Sequence, residues 1–222
     1  MHQRTYIIIP AKDEAERIGK VILSAQACGF PHIVVVDDGS RDKTADVVQR
    51  CGATLVKHRI NLGPGAATQT GIKYAILQGA INIVTIDADQ QHFPEDIKGL
   101  VEKLEADNLD IVLGSRFLMN NSIPYSRLAF NKVANMVSRL ATGIRVTDSQ
   151  SGMKAFTAEF AKKSELQFNG FEFCVEMLRN IKVHKARYAE MPIRVMYSKE
   201  TMEKGQSFMV GVRMLNKIFR VF

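Results

Sequence analysis

Two aspartates one residue apart, Asp87 and Asp89, stand immediately after the apolar run INIVTI (81–86). Such a run reads as a buried strand, and ligands of open α/β sheets bind just beyond the carboxyl ends of their strands. Carboxylates delivered there can converge on one Mg²⁺ or Mn²⁺, hard cations that leave further positions for water and for the oxygens of a diphosphate. The chemistry on offer is neutralisation of a departing diphosphate. Gln91 follows two positions on, and Pro94 with Glu95 opens a helix, so the segment also reads as an ordinary loop and helix start. His92 reads as a loop residue or a neighbour of the ligands rather than a ligand.

A second acidic exit, HIVVVDDGSRDKT, places Asp37 and Asp38 after another buried strand. A carboxylate there can accept from a ring N–H or a ribose hydroxyl. Gly39 and Ser40 make the turn, and residues 42–44 start a helix; both readings apply, with Asp38 meeting the nucleotide. The first exit, IIIPAKDEAERI, is similar: Pro10 ends the strand and Asp13 and Glu14 begin the helix. NLGPGAATQTG puts Gly63 and Gly65 before a helix, where anions can be received, but lacks the Lys-Ser/Thr ending of a P-loop, so it reads mainly as a structural turn. Arg116, just past a strand end, offers the forked, charge-assisted donors that suit phosphate, and an arginine so placed also serves as an ordinary salt-bridged residue. Glu172 and Glu176, one helical turn apart among Phe171, Phe173, Val175 and Met177, read as a half-buried helix rather than a paired-carboxylate site.

The elements that must position these residues alternate. Strand-like runs fall at 5–9, 32–36, 53–56, 81–86 and 110–114, with helical patterns near 14–27, 43–51, 66–79 and 94–106. Short continuous apolar strands between amphipathic helices predict a mostly parallel sheet covered on both faces, a Rossmann-like α/β arrangement. After residue 115 the pattern is less regular, with helices at about 125–142 and 170–181 and strand-like pieces at 186–196. The last segment, SFMVGVRMLNKIF (207–219), spaces Phe208, Val212, Leu215 and Phe219 as one apolar stripe among Arg213, Lys217 and Arg220 and reads as a basic amphipathic helix. A single domain over 1–222 is expected, with 1–115 binding nucleotide, 116–206 completing an acceptor side, and the basic helix at 207–222.

Residues 1–115 carry 12 Lys and Arg against 15 Asp and Glu, and residues 116–222 carry 18 against 8. The basic half calls for an acidic partner: an anionic membrane surface or a phosphorylated substrate. The charges are dispersed and no zinc-finger spacing or RNP-like aromatic string is present, so nucleic acid is not expected. No run of about 18 apolar residues suggests a membrane span, and the N-terminal apolar stretch is too short for a signal peptide. Three dispersed cysteines, Cys28, Cys51 and Cys174, read as reduced core residues, which fits the cytoplasm.

IPAKDEAERI, VVVDDGSRDKT, NLGPGAATQTGIKYA, DADQQHFPEDI, GSRF and DSQSGMKAF occur in one order, and in that order the chain resembles family 2 glycosyltransferases, nearest the polyprenyl-phosphate branch of dolichyl-phosphate mannosyl- and glucosyltransferases. The resemblance covers roughly residues 5–207. It implies a GT-A fold and inverting transfer of a hexose from a UDP- or GDP-sugar to a polyprenyl phosphate, with the protein peripheral on the cytosolic membrane face. It further implies that Pro10, Lys12, Glu14, Val36 and Asp38 line the base and ribose pocket and that Asp87, Asp89 and Gln91 hold Mg²⁺ or Mn²⁺. Ala88 would pack near the sugar, Arg116 would meet the donor diphosphate, and Arg127 the acceptor phosphate. The chain departs from the mannosyltransferase pattern at Lys12, in place of an aromatic, at Asn131, in place of a serine, and at KGQSF (204–208), which lacks a final lysine.

Asp148 is the candidate catalytic carboxylate, near the sugar's reacting carbon. With a hydroxyl acceptor it would act as general base; with a phosphate acceptor, already ionised, it would only orient or stabilise the transition state. Other expectations stay open: transfer to a saccharide or protein hydroxyl, a non-catalytic nucleotide-sugar-binding module, and a membrane subunit or homo-oligomer as partner. A sugar-1-phosphate nucleotidyltransferase is disfavoured because IIIPAKDEAERI lacks a Gly-rich nucleotide loop.

Overall fold

The computed structural model describes residues 2–119 and 123–197; within them the side chains at 2, 125–127, 129 and 130 are outside the description. The expected helix at 207–222 and the KGQSF segment lie outside the described residues, as does the Arg127 side chain.

Seven strands form one sheet: β1 (Thr5–Ala11), β2 (His32–Asp37), β3 (Thr54–Lys57), β4 (Asn82–Thr85), β5 (Ile111–Ser115), β6 (Lys154–Thr157) and β7 (Tyr188–Pro192), in the order β3-β2-β1-β4-β6-β5-β7. All pairings are parallel except those of β6, which runs antiparallel between β4 and β5. Ile7, Ile8 and Ile9 have no exposed surface because helices cover both faces. On one face α3 (Pro64–Leu77), α6 (Ala158–Lys163) and α7 (Phe173–Val183) pack on Ile8, Val34, Ile83 and Phe156. On the other, α1 (Ile18–Ala27), α2 (Thr44–Arg50) and α4 (Asp96–Ala106) pack on Ile7, Ile9, Val35 and Val84. Each isoleucine so enclosed contributes roughly 1.5–3 kcal/mol of transfer free energy. α5 (Tyr125–Thr142) packs on α7 at the edge of this layer.

The alternating first half is as expected. The structure corrects three elements: residues 14–17 form a turn that precedes α1, with Arg17 N–H bonded to Glu14 O, and residues 154–157 and 158–163 form a strand and a helix that the sequence reading lacks. Lys154 at the head of this short run masks its apolar character, and a four-residue strand carries little periodicity.

One glycine lets a helix sit directly on the sheet. A Cβ at Gly71 of α3 would stand 2.3 Å from Ile8 Cγ2 and 3.2 Å from Val36 Cγ2. The Gly71→Ala variant is expected to lose about 2 kcal/mol through overpacking, lowering the midpoint of thermal unfolding followed by circular dichroism by roughly 4–8 °C.

Candidate active site

The parallel strands β1, β2, β4 and β5 all end on one side of the sheet, and there the acidic residues gather. The exits of β1 and β2 are laced together: Asp13 N–H donates to Ser40 Oγ (2.9 Å), Glu14 N–H to Thr44 Oγ1 (2.9 Å), and Arg41 N–H to Asp13 Oδ1 (2.7 Å). Short polar side chains in DEAER and DDGSRDKT thus do the turn chemistry their types suggest. Beside them a cleft of about 1040 Å³ is lined by Lys12, Asp13, Gly39, Ser40, Arg41, Lys57, His58 and Arg59, with Ile60 and Asn61. Four fixed cations against one carboxylate make it attractive to anionic or carbonyl-rich ligands.

Of the residues expected to line a nucleotide pocket, Lys12 is on this cleft and reaches Gly39 O at 3.3 Å, and Pro10 is partly exposed at the end of β1. Three others have different surroundings. The Val36 side chain is wholly buried, with Cγ2 against Gly71. Asp38 is buried with both oxygens engaged, accepting from His58 Nδ1 (2.7 Å), Leu62 N–H (2.9 Å) and Gly63 N–H (2.8 Å). It therefore shapes the cleft by anchoring the 58–63 segment. Glu14 pairs with Arg17 at 2.6 Å.

At the end of β4, Asp87 keeps 43 % of its side-chain surface accessible although it lies at the floor of the site. His92 Nε2 stands 3.5 Å from Asp87 Oδ2, and its Nδ1 is buried without a hydrogen-bond partner among the described residues. Asp89 Oδ1 accepts from Gln91 N–H (2.9 Å). Ala88, between the two aspartates, is buried in the core. Burial opposes ionisation of Asp87, but His92, then Lys154 and Arg116, outweigh it and hold the carboxyl below its ordinary range. Burial and the Asp87 charge push Asp89 up to about 6. Two carboxylates that repel one another form a site with a charge deficit that a divalent cation would satisfy. Among the described residues no three of His, Cys, Asp and Glu cluster as a metal cage. The donor set accordingly fits a cation that draws its remaining ligands from a bound diphosphate, the usual habit of Mg²⁺ sites.

The antiparallel strand β6 brings a second group of residues to the same place. A Cβ at Gly152 would lie 2.1 Å from Asp87 Oδ2, so the DSQSG loop passes flush against that carboxylate and a side chain there would displace it. Asp148 has no exposed side-chain surface and holds Arg116 in a bidentate pair, Nε to Oδ2 at 2.6 Å and Nη2 to Oδ1 at 2.7 Å. Burial disfavours the Asp148 charge, but the Arg116 guanidinium more than offsets this and leaves the carboxyl below its usual range. A carboxylate so engaged is a weak base, and its geometric effect is to fix Arg116. Glu190 of β7 fastens the loop by accepting from Thr147 N–H (2.8 Å) and Thr147 Oγ1 (2.7 Å), and Asn135 of α5 accepts from Ser149 N–H (2.9 Å).

Glu176 accepts from Gln167 and Phe168 N–H at 2.8 and 3.1 Å. The adjoining Asn169 O takes Gly65 N–H (2.7 Å). The start of α3 is thus closed by protein, as its reading as a structural turn anticipates. Positioning by Asn135 and Glu190 is absent from the sequence reading, because their partners lie 14 and 43 residues away in the chain.

The model of the family described as "Glycosyl transferase family 2" matches residues 6–164. The chain is 32% identical over 235 residues to a UDP-N-acetylglucosamine–dolichyl-phosphate N-acetylglucosaminyltransferase of Methanococcus voltae, covering 96% of this chain and 94% of that one. It is 30% identical over 232 residues to a polyprenol monophosphomannose synthase of Mycolicibacterium smegmatis, covering 99% and 86%. Its fold is that of glucosyl-3-phosphoglycerate synthase from Mycobacterium tuberculosis, solved with Mn²⁺, UDP and phosphoglyceric acid, with a TM-score of 0.75 at 18% identity over 97% of this chain and 75% of that one. The fold is thus a GT-A glycosyltransferase fold. The chain belongs to glycosyltransferase family 2.

Replacing Arg116 with Met would leave Asp148 buried without its partner, and the expected loss in urea unfolding at pH 7 is about 3–5 kcal/mol. The Asp148 carboxyl is depressed from 3.8 in the folded state. Its contribution is therefore full above about pH 5 and disappears as pH falls through the depressed value. The gap between the parent protein and R116M, measured from pH 7 to pH 2, should narrow at the acid end.

Proposed function

We propose that the protein is an inverting hexosyltransferase that moves a sugar from a nucleoside diphosphate sugar to a polyprenyl phosphate. Within the chain, residues 1–115 would hold the donor and residues 116–206 would complete the acceptor side. The observation that carries the acceptor class is the state of Asp148. A hydroxyl nucleophile needs a base within hydrogen-bond reach, whereas Asp148 is locked to Arg116 and held ionised. A phosphate monoester arrives already ionised and needs no such base. The names of the relatives from M. voltae and M. smegmatis, matched over nearly their whole lengths, support the same acceptor class.

In this reading Asp87 and Asp89, with Gln91 beside them, would hold Mg²⁺ or Mn²⁺, which supplies positive charge to the departing diphosphate. The cleft bearing Lys12 would take the nucleoside, with Pro10 and the Val36 backbone at its inner end and Asp38 and Glu14 shaping it. Ala88 would set the floor beneath the sugar. Arg116, held rigid by Asp148, stabilises the negative charge that develops as the anomeric bond breaks, and does so without reorganisation because its orientation is preset. Arg127 at the start of α5 would meet the acceptor phosphate. The attacking phosphate oxygen forms the new bond to the anomeric carbon as the nucleoside diphosphate leaves from the opposite face. No helix among the described residues is long and apolar enough to cross a membrane. Docking at the cytosolic face of an anionic membrane is therefore assigned to peripheral basic surface, with the segment 207–222 as the contact; a membrane subunit or a second copy would serve the same end.

Incubation with Mn²⁺, a short polyprenyl phosphate and a panel of UDP- and GDP-sugars, followed by mass spectrometry, should yield one metal-dependent lipid-linked sugar. Turnover only with soluble hydroxyl acceptors would refute the lipid-phosphate assignment. Asp89→Ala should lower kcat by about 10²–10³-fold, equivalent to roughly 3–4 kcal/mol of transition-state stabilisation. Its thermal midpoint should not fall, because ionised Asp89 is already disfavoured in the fold.

A further inference from the structure

Lys154 is the one lysine among the largest fully buried side chains. Opening β6, it pairs in register with Thr85 of β4 on one side and Leu113 of β5 on the other. Its Nζ donates to Ser151 O, lies 3.7 Å from Cys174 Sγ, and sits 5.8 Å from the centre of the Phe173 ring. No carboxylate among the described residues is within 4.0 Å of it. An ammonium taken from water without an ion-pair partner is costly, and a protein stability argument alone gives no reason to keep one.

Its position supplies the reason. Ser151, whose carbonyl Lys154 holds, precedes Gly152, and Gly152 lies directly against the Asp87 carboxylate. Thr85 Oγ1 donates to Gly152 O at 2.7 Å, so the loop is pinned from β4 and from β6 together. Lys154 is thus a fixed cation one layer beneath a floor that carries Asp87, Asp89 and Asp148. We propose that Lys154 is a positioning residue for this site: it holds the 148–153 loop flush under Asp87 and supplies the charge that lets two neighbouring carboxylates share one floor. The inference rests on the metal-and-diphosphate reading above, and it assigns Lys154 no contact with substrate.

The test is Lys154→Met, which keeps an unbranched side chain of similar volume and removes the charge. Mn²⁺ affinity is read by electron paramagnetic resonance in the presence of UDP and, separately, GDP, alongside steady-state kinetics and thermal unfolding. The expected result is a Kd for Mn²⁺ weakened by about five-fold or more and kcat lowered by about ten-fold or more, with the acceptor KM within about two-fold. The thermal midpoint should hold or rise, since a buried unpaired charge has been removed. A purely structural lysine would give the reverse: a lower midpoint with parental Mn²⁺ affinity in the folded protein, and that outcome overturns the proposal. Should K154M fold poorly, K154R combined with C174A, which makes room for the longer head, restores Mn²⁺ affinity to within about three-fold of the C174A protein if the cation is what matters; failure to do so overturns it equally. Absence of Mn²⁺ binding by the parent protein with either nucleotide would instead refute the reading of the acidic pair itself.

Discussion

Everything at the open end of the sheet depends on one antiparallel pairing, the insertion of β6 between β4 and β5. Parallel strands deliver their carboxyl ends to one side, so β1, β2 and β4 supply Lys12, Asp38, Asp87 and Asp89 without further constraint. A residue from a later, parallel strand would reach the same side only at its far end. By running backwards, β6 begins at that side instead. The loop leading into it, 148–153, must then cross the strand ends in contact with Asp87. The absence of a Cβ at Gly152 makes that crossing sterically allowed.

The electrostatics follow from this geometry. Three aspartates within a few residues of the strand ends would repel one another strongly in a partly desolvated floor. The structure divides the load: Arg116 neutralises Asp148 at hydrogen-bond distance, while His92 and Lys154 act on Asp87. Asp89 is left with the least compensation, and burial together with the Asp87 charge pushes its carboxyl up to about 6. The residual negative charge lies at Asp87 and Asp89, where only a cation would offset it. A floor preset in this way loses little reorganisation energy when charge develops on a leaving group.

Four carboxylates near the site are bonded to the protein itself. Asp38 fastens the 58–63 segment, Asp148 fixes Arg116, Glu176 secures the loop that closes the start of α3, and Glu190 clamps residue 147. A carboxylate at a strand exit has the same sequence signature whether its oxygens face solvent or a neighbouring N–H. Spacing therefore brings these carboxylates to one end of the sheet but does not tell which of them are held by the protein. The clamps on the 147–149 loop were illegible for a further reason: Glu190 and Asn135 reach it from β7 and α5, and no local pattern links those segments.

What the amino-acid order determined alone is local and periodic. Continuous apolar runs separated by amphipathic stretches specify buried parallel strands under helices, and acidic residues just past those runs specify a ligand side, because both follow from backbone geometry over a few residues. Six motifs in a set order also identify the family, to which the chain belongs. Only the tertiary structure decided that residues 154–157 are a strand, that it runs against its neighbours, and that Val36 and Lys154 are enclosed while Asp87 is open. The cause is physical: which face of a short strand is buried, and which carboxylate meets a donor, depend on partners distant in sequence, and pairings at such distances leave no trace in local composition.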